Sequence, residues 1–195
     1  MSILNNIIQD YVVVVDVEAT CWKTEPPPGQ MNEIIEIGVC PLNLETLIPA
    51  DKQSVLVKPE RSKVSAFCTR LTSLTQEQVD DGVSFDEACR QVQRTFGTTN
   101  RLWASWGNYD QRIFSSQCEL TGVPYPFSGN HLNIKALFAE AKGLTRTVGL
   151  QRAIKSIGLV AEGRPHRGDD DAWNTARVLA HLLHTYGHEL LQPYW

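Results

Sequence analysis

The first patterned stretch of the chain is an unbroken run of four valines, Val12, Val13, Val14 and Val15, followed by Asp16, Val17 and Glu18. Consecutive β-branched residues without alternation predict a strand buried on both faces. Glu33 to Cys40 (EIIEIGVC) and Ser54 to Val57 read as two more strands, and Asn43 to Lys52 suits a hairpin connection between them. The breakers Glu25-Pro26-Pro27-Pro28-Gly29 fit neither helix nor central strand and separate the first two strands. The pattern then turns helical. Ser84-Phe85-Asp86-Glu87 is a capping-box sequence opening a helix over Phe85 to Phe96, with Gly97 as its stop. Leu102 to Trp106 (LWASW) predicts a short buried strand, and Tyr109 to Leu120 a helix closed by Gly122. Two further helices are expected over Asn133 to Lys142 and Val148 to Ile157, ended by Gly143 and Gly158. The last, from about Asp169 to Tyr186, carries Ala172, Ala176, Leu179, Leu182 and Leu183 at core spacing and stops at Gly187. Strands first, then alternating helix and strand, predict one α/β domain with a mixed central sheet, antiparallel at the front.

Composition narrows the picture modestly. A chain of 195 residues suffices for one well-buried core. Its 18 basic and 22 acidic residues give a net charge of −4, which argues against a protein that lives by coating duplex phosphates. An enzyme whose acidic site is neutralised by bound metal stays open, since each divalent ion brings two positive charges to the site. The five cysteines, at 21, 40, 68, 89 and 118, form no CxxC pair and fit reduced thiols in a cytosolic protein. Met1 to Asp10 has neither a basic leader nor a long apolar stretch, and nowhere do 18 apolar residues run together. The expectation is therefore no signal peptide, no membrane span and a cytoplasmic location. Residues 1–10 read as an N-terminal extension, 11–187 as the domain and 188–195 as a C-terminal tail.

The candidate chemistry begins where the first strand ends. Asp16 and Glu18 are two apart, so strand alternation turns both carboxylates to the same side. A divalent cation with hard oxygen ligands would relieve their repulsion. The plainer alternative is that one acid caps a helix and the other is solvated. Asp110, in Ser105-Trp106-Gly107-Asn108-Tyr109-Asp110, falls in the first turn of a helix just after a strand, where N-terminal capping alone would also explain it. Gly163-Arg164-Pro165-His166-Arg167-Gly168 joins a flexible Gly/Pro loop to Asp169-Asp170-Asp171 at the start of the last helix. Three acids there are also a common favourable charge pattern, and a lone loop histidine is commonly just solvent-exposed.

As an ordered set, Asp16-x-Glu18, Asp110, and His166 five residues before Asp171 resembles the DEDDh exonucleases, the DnaQ-like branch of the ribonuclease H-like superfamily. DVEATCW (16–22), NEIIEIG (32–38), FCTRLTSLTQEQV (67–79), SWGNYD (105–110) and EGRPHRGDDDAWNTARV (162–178) are similar to the Eri-type members, which trim histone mRNA, small RNAs and ribosomal RNA 3′ ends. Animal members carry a separate SAP domain, for which these 195 residues leave no room. The resemblance implies a single ribonuclease H-like fold with helices on both faces of the sheet. It also implies that Asp16, Glu18, Asp110 and Asp171 hold two Mg²⁺ or Mn²⁺ ions roughly 3.5–4 Å apart, Asp16 bridging both. His166 would take the proton of the attacking water, a task suited to an imidazole. The product would be a nucleoside 5′-monophosphate released from the 3′ end of RNA or a short single strand.

For substrate contacts, the resemblance implies that the backbone of Ala19, Thr20 and Cys21 meets the terminal sugar, where a 2′-hydroxyl could be sensed. Trp22 and Phe67 either flank the terminal base or belong to the core. The resemblance also implies that Leu74 wedges beside that base. Glu36 either supports a metal ligand from behind or is a simple edge charge. Arg61, Lys63, Arg70, Arg164 and Arg167 could track phosphates, as scattered surface cations can on any protein. Two other readings stand beside RNA trimming: a DNA-directed exonuclease, and a non-catalytic adaptor on the same fold. Intact like charges argue against the adaptor. Protein partners are not legible.

Overall fold

The computed structural model describes residues 8–195; most of the 1–10 extension read from sequence lies outside the described residues. The strands are β1 (Tyr11–Ala19), β2 (Ile34–Asn43), β3 (Gln53–Leu56), β4 (Leu102–Ser105) and β5 (His131–Asn133). The helices are α1 (Ala66–Thr72), α2 (Gln76–Asp80), α3 (Phe85–Phe96), α4 (Tyr109–Thr121), α5 (Ile134–Ala141), α6 (Leu150–Ser156) and α7 (Gly168–Tyr186), followed by a 3-10 helix at His188–Tyr194. One five-stranded sheet runs β3-β2-β1-β4-β5. β1, β2 and β3 pair antiparallel, whereas β4 and β5 continue parallel to β1. The mixed sheet and its antiparallel front agree with the sequence pattern.

The valine run divides by parity. Val13, Val15 and Val17 join one core with Phe85 and Val92 of α3 and Ile113 and Phe114 of α4. Val12 and Val14 join a second core with Leu137 of α5, Ile154 of α6 and Leu179, Leu182 and Leu183 of α7. Helices therefore cover both faces, and β1 needs apolar side chains on both, which is why its hydrophobic positions do not alternate. Asp16 and Glu18, with even numbers like Val12 and Val14, point to the α7 face.

Three regions differ from expectation. α1 and α2 fill a stretch with no strong periodicity and enclose a small core of Ile35, Cys68, Leu74 and Val79. The helix expected from Asn133 starts at Ile134, because Asn133 ends β5 and caps α5, its side-chain oxygen accepting from the Ala136 N–H at 3.0 Å. Residues 188–194 form the 3-10 helix, with Leu191 buried against the α7-side core. No helix among the described residues is long and apolar enough to cross a membrane.

Candidate active site

The acids meet where β1 passes the end of β4 and the start of α7. β4 pairs with β1 only through Val12, Val13 and Val14, so the sheet opens beyond that point. The Val17 N–H, lacking a strand partner on that side, donates to Asp110 Oδ1 at 3.0 Å. Asp110 thus fills a gap in the strand ladder and is fixed between Asp16 and Glu18. Gly107, in the left-handed region at φ 116°, lets the chain turn from β4 into α4 and deliver it.

Asp171 arrives by a close approach of two backbones. Asp16 is paired with Gly38 across the β1–β2 ladder. A Cβ on Gly38 would lie 1.8 Å from the Gly168 carbonyl carbon and 2.2 Å from the Asp169 nitrogen, so only glycine lets α7 start directly on the sheet. Gly168 in turn sits 3.1 Å, measured from its would-be Cβ, from the Asp16 carbonyl oxygen. The first turn of α7 then carries Asp171 to the acids of β1. Glu36, opposite Glu18 in the ladder and fully buried, closes this junction. Its carboxylate accepts from the Gly168 N–H at 2.8 Å, from Arg167 at 2.8 and 3.2 Å and from Ser54 at 2.6 Å. Glu36 therefore acts as an N-cap for α7 supplied by a strand.

Donor atoms of Glu18, His166 and Asp171 all lie within 4.8 Å of one another. Together with Asp16 and Asp110 they line one cleft of about 550 Å³, whose other walls include Trp106, Tyr109, Leu150, Gln151 and Arg152. Glu18, Asp110 and Asp171 are buried, whereas His166 is exposed. Burial first, then the neighbouring acids, pushes the Glu18 carboxyl up to about 8. Asp110 is raised to about 6 by burial, against the downward pull of its Val17 hydrogen bond. Asp16 and Asp171 are raised as well, burial again the main cause. Asp171 Oδ1 is buried and has no hydrogen-bond partner. Converging carboxylates with an orphaned oxygen fit a hard divalent cation, which would satisfy the lone pairs and favour the charged forms.

The loop before α7 is more firmly held than its Gly/Pro composition predicts. His166 adopts a left-handed backbone at φ 61°, and its N–H donates to Asp171 Oδ2 at 2.8 Å. The other expected contacts are not among the residues that line this cleft. Thr20 is buried, its N–H donating to Glu33 O and its carbonyl accepting from the Asn32 side chain. The Ala19 carbonyl accepts from Cys68 Sγ and the Cys21 carbonyl from Ser65 Oγ. Trp22 and Phe67 are half-buried, and Leu74 is 1% exposed within the small core of α1 and α2. A wedge at the terminal base would need Leu74 to leave that core. The sequence does not mark Tyr109, Gln151 or Arg152 as cleft residues; no spacing rule joins them, because α4 brings the first and α6 the other two.

The family model for exonucleases of the RNase T type matches residues 13–179. Human 3′-5′ exoribonuclease 1 is 33% identical over 184 residues, covering 89% of this chain. The chain spans about half of that relative, 52% of its length. The Drosophila melanogaster 3′-5′ exonuclease Snipper is 30% identical over 195 residues, covering 89% of this chain and 69% of its own. Among solved structures, the nuclease domain of 3′hExo, described as a DEDDh family member bound to rAMP, superposes with a TM-score of 0.83 at 31% identity, covering 91% of this chain and 94% of that one.

Proposed function

This chain belongs to the exonuclease family, and from that premise we propose that it is a divalent-metal-dependent 3′→5′ exonuclease acting on RNA. The observation that carries the reading is the meeting of Glu18, His166 and Asp171 within 4.8 Å beside Asp16 and Asp110, with one Asp171 oxygen buried and unpartnered. Asp16, Glu18, Asp110 and Asp171 would hold the ions, Mg²⁺ or Mn²⁺. When bound, two such ions supply charge stabilisation for the attacking and leaving oxygens of an in-line displacement.

The chain's own groups do the rest. The acids are held in place by β1, α4 and α7, which fixes the geometry of the site. His166, exposed at the cleft mouth, accepts the proton of the attacking water at an imidazole nitrogen. Arg152, which also lines the cleft, offers a cation to a substrate phosphate. The leaving 3′ oxygen ends as the hydroxyl of the shortened strand, and the released unit carries the phosphate on its 5′ side. Trp22 and Phe67 are the aromatic candidates for stacking on terminal bases. Names of relatives as exoribonucleases and an rAMP-bound neighbour support RNA as the substrate class.

Matched RNA and DNA oligonucleotides, each with and without Mg²⁺, test this. Nucleoside 5′-monophosphates should leave the RNA 3′ end only when metal is present. Faster release from DNA would move the substrate assignment, and full activity in excess chelator would overturn the metal reading.

A further inference from the structure

The loop that carries His166 is laid along one face of α7 by side chains spaced at helical intervals. Arg177 Nη1 donates to the Val160 carbonyl at 2.8 Å. Asn174 grips Glu162 at both ends, accepting from its N–H at 3.1 Å and donating to its carbonyl at 2.7 Å. The Trp173 indole N–H donates to the Glu162 carboxylate at 3.0 Å. Asp170 accepts from the Arg164 N–H at 2.7 Å, and Asp171 accepts from the His166 N–H at 2.8 Å. Helix positions 170, 174 and 177 lie about one turn apart with 171 beside 170, so their side chains meet alternate residues, 160, 162, 164 and 166, of the strap. The strap's backbone is moulded to this template. Gly163 is left-handed at φ 72°, and a Cβ there would lie 2.0 Å from the Asp170 carboxylate. Asp170 is itself steadied by an ion pair with Lys52, which also reaches Asp169 at 3.0 Å.

Neither Asp170 nor Asn174 lines the cleft, yet both are buried, Asn174 at 1% exposure. Six side-chain bonds from α7 to a short loop exceed what burial of Asn174 alone requires, and the last of them holds the residue proposed as general base. We propose that Asp170 and Asn174 are positioning residues that set His166 over the acids through the 160–166 strap. The inference rests on the general-base reading of His166. A base displaced by about 1 Å can cost up to ~10²-fold in rate, while the acids on β1 and α4 are untouched.

The test is a double-mutant cycle on RNA hydrolysis in saturating Mg²⁺, with Asn174→Ala, Asp170→Asn and Gly163→Ala each made alone and on His166→Ala. Gly163→Ala breaks the strap at an exposed position and keeps the experiment readable if Asn174→Ala folds poorly. Each strap variant should lose about 10–100-fold in kcat with KM and metal-induced thermal stabilisation little changed. On His166→Ala the same substitutions should cost almost nothing more, because the group they position is gone. Penalties that add on His166→Ala, or strap variants with unimpaired kcat beside a slow His166→Ala, would overturn the inference alone. A His166→Ala enzyme with full turnover would remove the general-base reading and the inference with it.

Discussion

Asp16, Glu18 and Asp110 are held by main chain and core, whereas His166 is held by side chains on one helix face. The three acids project from a strand buried on both sides and from a helix whose carboxylate replaces a missing ladder partner. Moving them means breaking the sheet. His166 sits on an exposed strap whose bonds each depend on one replaceable side chain. Asp171 belongs to both regions, one oxygen buried and unpartnered and the other holding the His166 N–H. Charge that must not move is built into the sheet, and the group that exchanges a proton is kept at the solvent edge. The two should therefore fail separately.

The largest separation should come from His166→Ala. Loss of a general base typically costs about 10²–10⁴-fold in rate, while metal-induced thermal stabilisation should survive, since the acids remain. Single-turnover hydrolysis and a thermal melt with and without Mg²⁺ check both halves. Asp110→Asn should show the converse. Its amide oxygen can still accept from the Val17 N–H, so the fold should hold, but loss of the charge should cost about 10²–10³-fold and shrink the metal-induced shift. Near-normal rates with undiminished stabilisation would place the metal elsewhere.

Gly38→Ala tests the junction that joins the regions. Its new methyl would fall on the Gly168 backbone, so α7 must retreat from β1. Overpacking of this kind costs about 1–3 kcal/mol, read as a lower denaturation midpoint, with turnover lost because Asp171 moves with the helix. A smaller effect concerns pH without metal. Glu18 and Asp110 hold protons in the folded chain up to about 8 and about 6. An unfolded chain releases them near the ordinary carboxylate range of about 4. Between those limits the folded state binds more protons, so metal-free stability should fall as pH rises from about 4 towards 8. Melting in chelator across that range should show the decline, and saturating Mg²⁺ should flatten it. A flat metal-free profile would contradict the clustering of the acids.

Much of this was legible in the chain because the relevant elements are long or strongly patterned. The Val12–Val15 run marked the doubly buried strand, and the apolar spacing from Ala172 to Leu183 marked α7. The antiparallel front followed from the strand runs Glu33–Cys40 and Ser54–Val57 with the hairpin stretch between them. α1 and α2, of seven and five residues, and the three-residue β5 are too short for periodicity to register. A local signal did exist for α2, since Thr75-Gln76-Glu77-Gln78 forms a capping box in the structure. Without that helix pair nothing in the sequence indicated that Leu74 would be buried. At the site, DxE and the spacing of His166 to Asp171 were readable, as neighbours on a strand or around a helix start are. Three features were not: the Val17–Asp110 bond, the Gly38–Gly168 contact and the grip of Asn174 on Glu162. Each joins positions whose proximity is set by tertiary packing, and the loop's Gly/Pro composition reports nothing of the helix side chains that hold it.

The division of labour is tested most directly by calorimetric titration of Mn²⁺ into the parent, Asp16→Asn and His166→Ala, paired with RNA turnover of the same samples. His166→Ala should bind metal as the parent does yet turn over slowly, and Asp16→Asn should lose metal affinity and turnover together. Unchanged Mn²⁺ binding by Asp16→Asn, or its loss in His166→Ala, would contradict it.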